Sequence, residues 1–155
     1  MRKHVKRKHW NVAPGFSAVA HAIAGAAITP AEDLNKLRMV ELAALDSYKA
    51  GSPTVADWRT LADMVNVCET FARDGIGPEA LEAVERAEAA LLAGYQRSNA
   101  HGRIGRGAGE YEALLDVFEY HDLQRQSVAR SAYERVIQKT MDRIRSGHPD
   151  NKVLT

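Results

Sequence analysis

Thr54-Val55-Ala56-Asp57-Trp58-Arg59-Thr60-Leu61-Ala62-Asp63-Met64-Val65-Asn66-Val67-Cys68-Glu69-Thr70-Phe71-Ala72-Arg73-Asp74-Gly75-Ile76-Gly77-Pro78 reads as one helix with both of its ends marked. It begins at Thr54-Val55-Ala56-Asp57 and runs to about Asp74. Val55, Trp58, Leu61, Ala62, Val65, Cys68, Phe71 and Ala72 recur at intervals of three and four, so they share one side. Gly75 ends the helix, and Gly75-Ile76-Gly77 leads into Pro78, whose missing N–H costs nothing at the next helical N-terminus. So short a link forces the following helix to return as an antiparallel or steeply crossed neighbour. Helix on helix is therefore the expected architecture.

Upstream, Thr29-Pro30-Ala31-Glu32 has the form of a helix start, with Thr as N-cap, Pro at the first helical position and Glu reaching back. The helix that follows is expected to bury Leu34, Leu37, Val40, Ala44, Leu45 and Tyr48, with Met39 and Leu42 on its flanks, and to stop at Gly51-Ser52-Pro53. Downstream, a third helix carries Leu81, Val84, Ala87, Leu91, Leu92 and Tyr95. Its first turns display Glu79, Glu82, Glu85 and Glu88 at the positive end of the helix dipole. The turn-rich segment from Arg97 to Gly109 is expected to break or fray that helix and to act as a flexible connector. A fourth helix, from about Glu110 to Gln126, buries Tyr111, Leu114, Leu115 and Phe118, with His121 as a half-buried structural residue. A fifth opens on a second capping box, Ser131-Ala132-Tyr133-Glu134, is lined by Val136, Ile137, Thr140, Met141 and Ile144, and closes at Ser146-Gly147-His148-Pro149. No window alternates with period two for long enough to make a strand.

The expectation is thus an all-α, single-domain bundle of about five main helices over residues 29–147. A basic N-terminal arm, residues 1–28, with a short Ala-rich helix precedes it, and a polar tail, residues 148–155, follows it. The 155 residues suit one domain with one core, and 45% apolar against 26% charged residues is ordinary for a globular chain. Aromatics at 6% favour close-packed helices over strands. Trp58, Leu61, Val65, Phe71, Leu91, Leu114 and Phe118 are the expected core.

Charge is distributed unevenly along the chain. The first eight residues hold five of the 21 Lys and Arg, namely Arg2, Lys3, Lys6, Arg7 and Lys8, whereas the first acidic residue is Glu32. From there on 16 basic face 20 acidic side chains, so a net −4 body carries a positive arm. A short cluster of cations recruits phosphate or carboxylate surfaces without needing a pocket. Trp10 beside Arg7, Lys8 and His9 suits either stacking on a base, or in a partner's groove, or folding back onto the bundle.

No catalytic or metal-binding motif emerges, and neither a cofactor nor a metal is expected. The run Gly102-Arg103-Ile104-Gly105-Arg106-Gly107-Ala108-Gly109 has the composition of an anion nest flanked by Arg103 and Arg106, but it lacks the Lys-Ser or Lys-Thr of a Walker A loop and the strand that precedes a dinucleotide loop. His4, His9, His21, His101, His121 and His148 form no ligand set, and neither H-E-x-x-H nor Cys-x-x-Cys occurs. The single cysteine, Cys68, cannot form an intramolecular disulfide, reads as core filling and fits the reducing cytosol. A secretory leader is the rival reading of the first residues, set against it by Pro14, His21 and an Ala-built apolar part. No membrane span is expected.

Leu61 to Glu69, the turn Gly75-Ile76-Gly77, His101-Gly102-Arg103 and Glu119-Tyr120-His121-Asp122-Leu123-Gln124 carry a resemblance. The chain resembles a loosely defined group of small all-helical proteins encoded by phages and prophages of Gram-negative bacteria. The resemblance implies that the residues before Asn11 belong to the mature protein and that it acts in the cytoplasm of a bacterial host. It also implies a non-enzymatic binder that obstructs or modulates a host protein or ribonucleoprotein complex, CRISPR and other defence systems included. In that reading the acidic helices dock, through Glu82 and Glu85 among others, and a homo-oligomer is compatible with it. The alternative is a nucleic-acid-binding protein that sets the arm, Arg103 and Arg106 on phosphates.

Overall fold

The computed structural model describes residues 30–146. The arm with Arg2, Lys3, Lys6, Arg7, Lys8 and Trp10, the cap expected at Thr29, and the tail lie outside the described residues. Five α-helices follow one another: α1 Pro30–Lys49, α2 Val55–Arg73, α3 Leu81–His101, α4 Glu110–Gln126 and α5 Arg130–Ser146. A single 3-10 turn, Pro78–Ala80, leads into α3, and no strand occurs among the described residues.

Local chemistry sets the ends of α2 as the sequence implies. Thr54 caps it in a reciprocal box: the Asp57 N–H donates to Thr54 Oγ1 at 3.1 Å, and the Thr54 N–H donates to Asp57 Oδ2 at 2.8 Å. At the other end Gly75 adopts φ +89°, so the Ile76 N–H reaches the Phe71 carbonyl at 2.9 Å and the Gly75 N–H reaches that of Ala72 at 3.1 Å. A residue with a side chain is strained in that conformation. Between these ends every residue from Leu61 to Ala72 is buried, because α2 is the central helix and packs on α1, α3, α4 and α5.

Two apolar clusters form around α2. The larger joins α1 to α4 through Leu45, Tyr48, Trp58, Leu61, Val65, Leu91, Leu114 and Phe118, and the smaller fastens α5 through Leu37, Val67, Phe71, Tyr133, Val136, Ile137 and Met141. All seven expected core residues are buried. Trp58 also ties α2 to α3, its indole N–H donating to the Leu91 carbonyl at 2.9 Å. Gly94 makes room on α3 for the Tyr48 side chain and for Ile104, since a Cβ there would lie 2.9 Å from Tyr48 Oη and 3.0 Å from Ile104 Cγ2.

Several expectations are corrected. Val40 is 47% exposed, and Glu41 takes the inward position beside it, drawn in by Arg125. Val55, Leu81, Leu92 and Tyr95 are exposed rather than buried. The third helix does not break at Arg97 but continues to His101, ending on Gly102 at φ +74°. Ser131 lies within α5 rather than capping it, for the helix has already begun at Arg130, and Glu134 pairs with Arg130 at 3.1 Å instead.

Candidate functional site

The outward side of α3 gathers apolar and acidic side chains. Leu81, Glu85, Leu92 and Tyr95 are spaced by four, seven and three, which places them in one stripe along the helix. Leu81 is 37%, Leu92 42% and Tyr95 45% exposed, and Glu82 and Glu85 stand exposed in the first turns. The Tyr95 ring rests on that of Trp58 at 6.1 Å between centroids, so its position is fixed from beneath. Val55, one turn before Trp58 on α2, adds a further exposed apolar side chain. Glu82 pairs with Arg86 at 3.0 Å, and Arg86 reaches Asp116 on α4 at 3.4 Å. Pairs this exposed add little stability, which leaves their carboxylates available for exchange with a partner's cations.

The segment expected to be a flexible connector is tied down on every side. The Arg97 guanidinium forks onto Glu110, Nη1 to Oε1 at 2.7 Å and Nη2 to Oε2 at 2.6 Å, while its Nε–H donates to the Ile104 carbonyl at 2.7 Å. Glu110 Oε2 also accepts the Gly107 N–H at 2.8 Å, and Ile104 is buried in the main core. Bidentate charge-assisted bonds of this kind fix geometry as well as energy. Arg106 donates from Nη1 to the Lys49 carbonyl at 2.6 Å, so it serves the C-terminus of α1, where a cation meets the negative end of the dipole. Arg103 is exposed. Glu82 stands in the first turn of α3 and Arg103 follows the Gly102 cap at its far end, so the expected acidic and basic residues do not converge.

Inside the molecule lies a polar centre that the sequence pattern concealed. Glu41 of α1 pairs with Arg125 of α4 at 2.7 Å, and both are buried. Arg125 also reaches Asp122 at 3.4 Å, which in turn takes Arg38 at 3.2 Å. His121, at 1% exposure, is fully rather than half buried; Nδ1 lies 3.2 Å from Gln124 Oε1 and Nε2 3.2 Å from the Tyr133 hydroxyl. Burial, with the Arg125 charge acting in the same direction, holds its imidazole well below the usual 6.5. Burial pushes the Glu41 carboxyl up against the pull of Arg125, and it pushes Asp63 up to about 8 against the pull of Arg59. Cys68 is buried, and burial raises its thiol to about 12, far from the thiolate a nucleophile needs. Glu41 sits four residues from both Leu37 and Leu45, and Arg125 four from His121. That spacing was the available signal that these charged side chains point inward.

Among the described residues no group of three or more His, Cys, Asp and Glu is placed to hold a metal ion, and no helix is long and apolar enough to cross a membrane. Over the described residues these features define an all-α bundle of five helices with a polar centre inside and an apolar, acid-flanked stripe on α3. Compared with protein-family models, with curated proteins and with solved structures, the chain matches none of them.

Proposed function

We propose that this is a non-enzymatic interaction protein that docks through the outward stripe of α3 onto a partner protein with a basic surface. The observation that carries the reading is the row of exposed Leu81, Leu92 and Tyr95 interleaved with Glu85 on one helix. Large apolar side chains held rigidly at a surface supply most of the affinity of a protein contact, a Tyr especially, and flanking carboxylates supply selectivity and a fast encounter. In the phage setting that the sequence resemblance implies, the partner is a host protein or ribonucleoprotein complex in the bacterial cytoplasm. A defence complex of the CRISPR type is one such partner, since basic grooves built for nucleic acid suit an acidic stripe.

Quantitative capture from host cells with the full-length chain tests it. Leu92→Ala with Tyr95→Ala, and separately Glu82→Lys with Glu85→Lys, are expected to cut recovery of the captured partner about tenfold or more while helix content is unchanged. Equal recovery by wild type and both variants overturns the docking face. The nucleic-acid reading draws support from the exposure of Arg103 on a clamped loop, but Arg106 spends a donor on α1. Binding of a random-sequence oligonucleotide that weakens with salt, at a slope of roughly −0.7 to −0.9 per phosphate, and that is lost in Arg103→Glu with Arg106→Glu would favour it instead.

A further inference from the structure

α5 is held by contacts separate from those that unite α1 to α4. Its apolar residues Tyr133, Val136, Ile137 and Met141 belong to the smaller cluster, and none of them is part of the larger core of α1 to α4. At the edge of the smaller cluster stands His121, whose ring packs against those of Phe71 and Tyr133 at 6.0 Å each.

The hydrogen-bond directions around His121 follow from Gln124. The Gln124 side-chain amide donates from Nε2 to the carbonyls of Ile76 at 2.9 Å and Cys68 at 3.3 Å, which fixes its orientation and leaves Oε1 facing His121 Nδ1. An amide oxygen only accepts, so Nδ1 carries the hydrogen. Nε2 then holds a lone pair and accepts from the Tyr133 hydroxyl. In the neutral ring the chain from Tyr133 through His121 and Gln124 to the backbone of α2 and its following turn therefore runs in one direction, with the Tyr133 hydroxyl as its first donor.

The charges around the ring oppose its protonation. From α1, Glu41 Oε1 is 4.0 Å from Nε2, but its other oxygen is engaged with Arg125 at 2.7 Å. From α4, Arg125 repels a second cation, and Asp122 is shared between Arg38 and Arg125. From α2 come the Cys68 backbone, the Phe71 ring and Glu69, which is divided between Arg73 and Arg143 of α5. From α5 come Tyr133 and, further along, Lys139 paired with Asp74. A proton at Nε2 turns that nitrogen from acceptor to donor, which reverses the bond to Tyr133, sets a like charge beside Arg125 and places a cation at a site 1% exposed, where only the lifting of α5 gives it water.

We infer that His121 is a proton-operated latch: neutral, it fastens Tyr133 and with it α5 to the body, and protonated, it releases α5 from a four-helix core that stays folded. Release bares the groove of Leu37, Val67 and Phe71 beneath α5.

Hydrogen exchange of the full chain near pH 7.5 and near pH 5, corrected for intrinsic rates, tests the latch together with nitrogen NMR of the imidazole. Amides of residues 130–146 are expected to exchange about tenfold faster or more at the lower pH, the factor that one unit of differential protonation gives, while α2 and α3 keep their protection. The NMR spectrum at the higher pH should show the Nδ1–H tautomer. In His121→Gln, which cannot titrate, the acceleration should vanish. Tyr133→Phe keeps the ring but removes the donor to Nε2, and should move the opening to higher pH, which tests the latch even if the glutamine variant does not fold. Simultaneous loss of protection in all five helices, an Nε2–H tautomer at neutral pH, or an unshifted opening in Tyr133→Phe overturns the inference.

Discussion

A buried carboxyl group whose oxygens are poorly supplied with donors keeps its proton, and Asp63 is such a group. Among the described residues its Oδ2 meets no hydrogen-bond donor, and burial raises its pKa from 3.8 to about 8. The folded protein thus binds a proton at Asp63 across a window in which the unfolded chain has released it, so its contribution to stability falls as pH rises from about 4 to about 8. Asp63→Asn removes that loss. Denaturant melts near pH 5, 6.5 and 8 should show the stability of the variant relative to wild type growing through the window and levelling above it. A flat difference would mean that Asp63 is ionised in the folded state. The apolar positions behave more simply. Leu61 is fully buried in the main core, and Leu61→Ala is expected to cost roughly 2 to 5 kcal/mol in a denaturant melt, most if the cavity cannot collapse. These two residues, two apart in α2, differ in legibility. Leu61 follows from the apolar repeat, whereas Asp63 lies off that repeat and is buried because α2 is covered on all sides, which a one-sided periodicity cannot reveal.

At the scale of elements, the bounds of α2 were readable because Thr54, Asp57 and Gly75 act on neighbours a few residues away. The order in residues 102–109 was not readable. Their glycines read as a loose connector, and the pair that organises them, Arg97 and Glu110, is separated by a whole turn-rich segment. Its meeting depends on the tertiary approach of α3 to α4. Glu110 has only a tenth of its side chain exposed and Arg97 under a third, so the pair keeps part of the strength of a buried one. Glu110→Gln leaves the guanidinium short of its anionic acceptor and is expected to cost about 1 to 2 kcal/mol, discounted for the solvent that reaches Arg97. Limited trypsin digestion gives a local readout, since cleavage after Arg103 and Arg106 should accelerate in the variant while sites within α2 stay protected. Unchanged cleavage would show that Ile104 in the core holds the segment without the pair. The capping box of α2 offers a simpler case. Thr54→Ala removes the oxygen that accepts the Asp57 N–H and should lower stability by about 1 kcal/mol.

Across the whole molecule, α3 carries Glu82 and Glu85 near its start, while the loop with Arg103 and Arg106 folds back onto its last turns, Ile104 lying against Gly94 and Arg97. Roughly 14 to 23 Å of helix separates the two groups at 1.5 Å per residue, about two Debye lengths at physiological salt, so exposed charges of one group are largely screened from the other. The acidic run that opens α3 was legible in the sequence, but the return of the Arg103 and Arg106 loop onto the last turns of that helix required the fold, because it rests on the tertiary pair of Arg97 and Glu110. This separation makes the two functional readings independent in experiment. If the partner docks on the α3 stripe, Glu82→Lys with Glu85→Lys should abolish capture and reduce its dependence on salt, because the reversed residues are those that steer the encounter. Arg103→Glu with Arg106→Glu should weaken capture of the same partner less than the glutamate reversal does, since a basic partner surface gains nothing from those two cations. Deleting residues 1–9 should weaken capture less than the paired glutamate reversal does. The decisive comparison is between the two reversals in one partner-capture titration across salt concentrations. Greater loss from the arginine pair than from the glutamate pair would move the contact to the loop end of α3 and remove the support for docking through its acidic stripe.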